Sequence, residues 1–221
     1  MKIGLFGGSF NPVHNTHIDV SSAVMKRLGL DQVLFVPAGN PYHKKCGTML
    51  PAELRFELIQ RAVDGLDNFD VSDIDMSSIG PTYTVQTLKE ALKRYPEDEL
   101  YFLMGQDAFN SLPGWKDWEK IPLLANIVAV SRGKSDAGEM TVLLKKIFTD
   151  IDNTDTNEWK LKDGKSVYII DDFDFKISST FVRKVWREGG DISPYVPAAV
   201  ADYVKGKADE FNKYWGLEEY S

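Results

Sequence analysis

"GLFGGSFNPVHNTH", Gly4–His17, is the stretch that decides the fold. Residues Lys2–Phe6 are mostly apolar, as expected for a strand covered on both faces. Gly7 and Gly8 end that run, and glycine permits positive φ and close approach of the backbone to a ligand. Ser9, Asn11 and Pro12 are turn formers. A helix should begin near Asn15 or Thr16, with Thr16 and Asp19 at capping-box-like spacing. Strand, glycine-rich corner and helix N-terminus therefore follow one another. At such a junction backbone N–H groups and the helix dipole form a ready phosphate site. His14 and His17, at i and i+3, can point the same way, and an imidazole can donate a hydrogen bond to a phosphate oxygen. They are two of only three histidines in the chain. G-x-G-x-x-G is absent and no G-K-[ST] follows, so the corner is neither a dinucleotide fingerprint nor a P-loop. A metal pair stays open, although no acidic or cysteine ligand stands at useful local spacing. A plain tight turn with two surface histidines stays open too.

Working outward, short apolar runs alternate with helical patterns. Lys2–Phe6, Gln32–Val36, Asn68–Val71, Leu100–Met104, Asn126–Val130 and Ser166–Ile170 read as strands. Residues 17–28, 52–64, 84–94, 115–124 and 139–149 read as helices, with Gly29 a C-cap and Pro51 suited to a first helical turn. Repeated strand–helix–strand units predict an α/β fold with a doubly wound, mostly parallel sheet, whose ligands bind beyond the carboxyl ends of the strands. Residues 133–136 and 150–166 are polar and look like a surface excursion. We expect a core over 1–172 and a helical C-terminal subdomain over 173–221, together forming one catalytic unit.

Composition narrows the function classes. A net charge of −7 argues against a broad electrostatic grip on nucleic acid, so any anionic ligand must meet cations placed locally. One cysteine, Cys46, leaves no internal disulfide and no cysteine-based zinc site. No signal-like segment opens the chain, and no stretch reaches the roughly 20 apolar residues of a membrane span. The expectation is a cytoplasmic protein without a membrane partner.

Ile177–Arg183, ISSTFVR, opens a second helix of interest, with Ser178 as N-cap and Ile177 and Val182 at the staple positions. Phe181, Val182, Val185 and Trp186 form an apolar stripe, and Arg183 and Arg187 share the polar face. Hydroxyls and an arginine at a helix N-terminus make a second anion site, or an ordinary capped helix.

Gly7–His17 resembles the G-G-[ST]-F-D-P-x-H-x-G-H motif of the H-x-G-H nucleotidyltransferases, with Asn11 in place of Asp and Thr16 in place of Gly. Asn11 keeps the turn chemistry; Thr16 either caps the helix or crowds the ATP site. Ile177–Arg183 resembles the I-S-[ST]-T-x-[IV]-R motif of the same superfamily. Pro37–Lys44, Pro81–Leu88 and Leu103–Asp107 with Trp115 resemble three ordered segments of the nicotinate-nucleotide adenylyltransferases. The resemblance implies a Rossmann-like nucleotidyltransferase that makes deamido-NAD and pyrophosphate from ATP and nicotinate mononucleotide, with Mg²⁺ carried on ATP and no dedicated metal cage. It implies catalytic roles for His14, His17, Lys44 and Arg183. Gly7, Gly8, Ser9, Phe10, Gly105, Asp107, Ser179 and Thr180 would hold ATP. Asn40, Tyr83, Thr84 and Trp115 would hold the mononucleotide.

The residue types suit those roles. Trp115 can stack on a flat ring, whereas Trp118 is expected in the core. A hydroxyl and a backbone N–H at Tyr83–Thr84 can receive a carboxylate, and Asp107 can hold ribose hydroxyls or cap the next short helix. Two rival readings are a transferase for another phosphate substrate and a nucleotide-binding sensor without turnover.

Overall fold

A computed structural model describes residues 1–40, 47–76, 80–131, 134–148, 151–155, 157–162, 165–171, 173 and 177–216. Its strands are β1 (Lys2–Gly8), β2 (Gln32–Pro37), β3 (Phe69–Val71), β4 (Glu99–Gly105), β5 (Asn126–Val130), β6 (Ile151–Asp155), β7 (Glu158–Leu161) and β8 (Ser166–Ile170). The helices are α1 (Asn15–Leu28), α2 (Ala52–Val63), α3 (Thr84–Arg94), α4 (Gln106–Ser111), α5 (Ile121–Leu124), α6 (Lys134–Ile147), α7 (Ser179–Arg187), α8 (Ala198–Gly206) and α9 (Ala208–Trp215). The sheet order is β3-β2-β1-β4-β5-β8-β7-β6. This is the expected α/β fold with a doubly wound, mostly parallel sheet.

The chain divides into two compact units. The first comprises Met1–Gly7, Ala23–Leu34 and Tyr83–Phe175. Here β1 pairs in parallel with β4, β4 with β5, and β5 with β8. Leu5, Leu103, Val128 and Val167 are fully buried on these strands, as a sheet covered on both faces requires. The strand order reverses between β1 and β4, the switch point beyond which such sheets bind ligands, and the carboxyl ends there carry Gly7 and Gly105. α1 ends as expected: Gly29 takes φ +62°, and the Leu30 N–H reaches back to the Met25 carbonyl at 2.9 Å.

Three expectations for this unit need correction. The 115–124 helix is replaced by a 3₁₀ turn, Trp118–Lys120, and the short α5, with another 3₁₀ turn, Leu112–Gly114, just ahead of it. Pro113, Gly114, Pro122 and a left-handed Asp117 (φ 52°) interrupt any continuous turn. Trp118 accordingly stays half-buried, with its ring edge on Phe148, instead of entering the core. The polar 150–166 stretch contains β6 and β7, an antiparallel pair added beside β8. Its exposed polar positions hid the strand pattern, and Trp159 is the buried anchor.

The second unit comprises Gly8–Ser22, Phe35–Thr82 and Lys176–Ser221. Its core includes Phe10, Phe35, Leu58, Val200, Phe211 and Trp215, all within 2% of complete burial. α2 and α8 are joined by the Tyr203 hydroxyl donating to Glu57, with the Arg61 guanidinium 4.0 Å from the Tyr203 ring centroid.

Candidate active site

The glycine-rich corner lies in the second unit from Gly8 onward. Its left-handed residue is Phe10 (φ 45°), and neither Gly7 nor Gly8 takes the positive φ that glycine permits. Each glycine is required by a neighbouring ring instead. A Cβ on Gly7 would stand 2.8 Å from Phe102, and one on Gly8 2.9 Å from Phe10. The Phe10 ring is buried, edge-on to Phe35 and His17, and that packing holds a backbone conformation costing about 1–2 kcal/mol.

α1 begins immediately after His14, and the two histidines meet there. Their rings stack with centroids 3.7 Å apart and an interplanar angle of 29°. The His14 backbone N–H donates to His17 Nδ1 at 3.1 Å, the return half of a capping box made by an imidazole. A neutral His17 therefore carries its proton on Nε2. His14 is 5% exposed, its Nδ1 has no hydrogen-bond partner among the described residues, and burial lowers its pKa to about 4. Thr16 falls inside the first turn, and no capping bond from its hydroxyl is found among the described residues.

α7 is fixed onto the same corner. Ser178 caps it by accepting from the Phe181 N–H at 3.2 Å. Ser179 Oγ donates to the Pro12 carbonyl at 2.8 Å. Arg183 donates to the Asn11 carbonyl at 2.7 Å and to Thr180 Oγ1 at 3.1 Å. The polar face expected for Arg183 is corrected: it is 7% exposed and turned inward, while Phe181, expected on the apolar stripe, is 37% exposed. The carbonyls of Asn11 and Pro12 explain the reversal, since they need buried donors.

Two buried polar residues complete the scaffold: Asn11, read from the sequence only as a turn former, and Arg55, which sequence reasoning missed. Asn11 is 2% exposed; its Nδ2 donates to the Thr48 carbonyl, and its Oδ1 accepts from the Leu50 N–H and, at 3.4 Å, from Trp215 Nε1. Arg55 is 1% exposed and donates to four backbone carbonyls: Leu50 (3.0 Å), Ser9 (3.0 Å), Ala38 (2.7 Å) and Gly39 (3.1 Å). Burial lowers its pKa to about 10, so it is charged at neutral pH. One signal was available: Arg55 lies three and four residues before Leu58 and Ile59, on the apolar face of α2. Asn40 is exposed, and its carbonyl accepts from the Thr82 N–H at 3.3 Å. Lys44 lies outside the described residues.

The remaining predicted residues lie in the first unit. Tyr83 stands at the N-cap position of α3 and Thr84 is its first residue. Lys116 Nζ lies 4.5 Å from the Tyr83 ring centroid. Trp115 is half-buried, donates from Nε1 to Ser111 Oγ at 3.1 Å, and meets Phe102 edge-on. Gly105 is exposed at the end of β4, with nothing among the described residues within 4 Å of a Cβ placed there. Asp107 lies in the first turn of α4; Gly105, not Asp107, occupies the N-cap position. Among the described residues no group of three or more His, Cys, Asp or Glu could hold a metal ion. No described helix is long and apolar enough to cross a membrane.

Comparison with known proteins adds independent information. Residues 5–185 match the family described as cytidylyltransferase-like. A Maridesulfovibrio salexigens protein named "Probable nicotinate-nucleotide adenylyltransferase" is 59% identical over 215 residues, covering 97% of this chain and all of the relative. A Thermus thermophilus protein of the same name is 36% identical, covering 93% of this chain and 97% of the relative. Among solved structures, Plasmodium falciparum nicotinic acid mononucleotide adenylyltransferase complexed with NaAD superposes with a TM-score of 0.72. At 20% identity, over 95% of this chain and 97% of that one, it speaks for the fold.

Proposed function

The chain belongs to the cytidylyltransferase-like family and, within it, to the nicotinate-nucleotide adenylyltransferases, and from that premise we propose that it transfers the adenylyl group of ATP to nicotinate mononucleotide, giving deamido-NAD and pyrophosphate for NAD biosynthesis. The observation that carries the reading is the His14–His17 stack, in which the His14 backbone N–H occupies His17 Nδ1. That bond leaves Nε2–H as the donor that His17 presents. The mononucleotide's phosphate is already ionised at neutral pH, so no base is needed. Its oxygen forms a bond to the α-phosphorus while the bond to the bridging oxygen breaks, and pyrophosphate leaves with the electron pair. Catalysis then consists of in-line positioning and charge stabilisation.

His14 and His17 steady the triphosphate, with backbone or hydroxyl donors from Gly8, Ser9 and Phe10 and a bare approach at Gly7. Burial holds His14 neutral, and an arriving anion favours its charged form. Arg183, with Ser179, Thr180 and Lys44, receives the outer phosphates; its bonds to the Asn11 carbonyl and Thr180 Oγ1 hold the guanidinium beside the corner. Gly105 and Asp107 hold the nucleoside of ATP. Asn40, Tyr83, Thr84 and Trp115 hold the mononucleotide, with Trp115 against the ring. The N–H donors around His14 and His17 would hold the phosphate oxygens, and a Mg²⁺ brought in with ATP would offset phosphate charge.

Residues 1–172 and 173–221 act as one catalytic unit in this reading, supported by the reach of Arg183 to the Asn11 carbonyl. A cytoplasmic enzyme without nucleic-acid or membrane partners is supported by the single cysteine and the net charge of −7. The test is pyrophosphate release from ATP and Mg²⁺ with nicotinate or nicotinamide mononucleotide. Turnover with the nicotinate form is expected, and no pyrophosphate from either substrate would overturn the assignment.

A further inference from the structure

Arg55 is an arginine with the burial of a leucine. It is 1% exposed, and all of its hydrogen bonds go to backbone carbonyls. Removing a guanidinium from water costs several kcal/mol, normally offset by a carboxylate partner. Four charge-assisted bonds to carbonyls do that here, each worth about 1.5–3 kcal/mol; among the described residues no carboxylate is hydrogen-bonded to it, and Glu53 acts on its charge only through space. The acceptors matter more than their number. Ser9 belongs to the corner after β1, Ala38 and Gly39 to the loop after β2, and Leu50 to the approach to α2. Ser9 shares the corner with His14 and His17, and Asn40 follows Gly39 directly. The two loops are also joined by the Ala38 N–H donating to the Gly8 carbonyl at 2.9 Å. A Cβ on Gly39 would lie 2.2 Å from the Asp75 carbonyl oxygen, so this loop has no room to shift toward that residue.

We propose that Arg55 is a positioning residue for adenylyl transfer: its buried guanidinium fixes the Ser9 corner against the Ala38–Asn40 loop, holding the donors of both at the spacing the phosphates require. The proposal rests on the adenylyltransferase reading. A planar five-donor fork can satisfy carbonyls in several directions at once, which a single ammonium cannot. Displacement of reacting groups by about 1 Å can cost on the order of 100-fold in rate.

The test compares wild type with Arg55→Lys, which keeps the charge and loses the fork. Far-ultraviolet circular dichroism and thermal unfolding fix the folded fraction, and kcat and both KM values are taken per folded molecule at 10 °C. The expected result is a fall in kcat of at least 10-fold, with both KM values within about 3-fold of wild type. A folded variant with wild-type kcat overturns the proposal, even if its Tm is lower. Inactive wild type instead overturns the adenylyltransferase reading, so the two failures are distinct. If the variant does not fold, the wild-type protein supplies the decision. The Arg55 Nε–H nuclear magnetic resonance signal should shift on saturation with pyrophosphate, in step with the Ser9 and Gly39 amides. Corner amides that shift while Arg55 stays unmoved overturn the proposal.

Discussion

The indole N–H of Trp215 points at the side-chain oxygen of Asn11, 3.4 Å away and 204 residues earlier in the chain. The last described helix is thereby joined to the corner that follows the first strand. Trp215→Phe removes the donor and leaves Oδ1 to the Leu50 N–H. A loss of about 1 kcal/mol in urea unfolding is expected. Asn11→Asp should cost more, about 2–3 kcal/mol at neutral pH, because a carboxylate oxygen would then face the Thr48 carbonyl where an amide now donates. Equal stability of wild type and Asn11→Asp would contradict that hydrogen-bond assignment.

His17→Ala removes the Nε2 donor and the acceptor for the His14 N–H. Loss of a donor aimed at developing charge typically costs about 100- to 1,000-fold in kcat. Stopped-flow or steady-state rates should show that loss with a near-native circular dichroism spectrum. Turnover close to wild type would remove His17 from the mechanism.

His14 gives the pH prediction. Its folded pKa is about 4, below the ordinary histidine value of 6.5, because burial disfavours the imidazolium. Between those values the unfolded chain binds the extra proton, so stability is fully present above 6.5 and is lost as pH falls toward 4. The full effect is about 3 kcal/mol. Urea midpoints across that window should slope for wild type and slope less for His14→Asn. Parallel curves would show that His14 is not the titrating group.

Trp115→Ala should raise KM for nicotinate mononucleotide far more than KM for ATP, because the ring is assigned to the pyridine. Equal increases for both substrates would argue for a general packing role through Phe102.

Two glycines separate folding from binding. Gly39→Ala places a methyl 2.2 Å from a backbone oxygen and should lower Tm by several degrees. Gly105→Ala meets nothing among the described residues within 4 Å at an ordinary φ of −78°, so Tm should hold or rise slightly. If bare backbone at Gly105 receives ATP, KM for ATP should rise in that variant alone.

The sequence was most legible where one residue dictates one local outcome. Gly29 ended α1, Ser178 capped α7, and all six apolar strands were found to within about two residues at either end. It was least legible where a polar group answers to a distant backbone. Arg183 belongs to the polar face by helical spacing, but unpaired carbonyls at Asn11 and Pro12 turn the interior of α7 toward them. Arg55 was overlooked for the same reason: its partners come from separate loops, and no local spacing encodes four carbonyls converging on one guanidinium. Gly7 and Gly8 were legible as residues that let backbone approach a ligand closely, but not the rings of Phe102 and Phe10 that leave no room for a Cβ there, a packing fact beyond the reach of a motif.

The antiparallel pair β6–β7 has a consequence for self-association. Without it β8 would be the margin of the sheet, and Val167, Ile169 and Ile170 would offer an apolar strand with unpaired backbone groups to any passing copy. With it, the margin moves out to Ile151–Asp155, where Asp152 and Asn153 are exposed. A charged, hydrated border is a poor template for strand addition. The polar excursion therefore gives this edge of the sheet a border less open to strand addition than β8 would be.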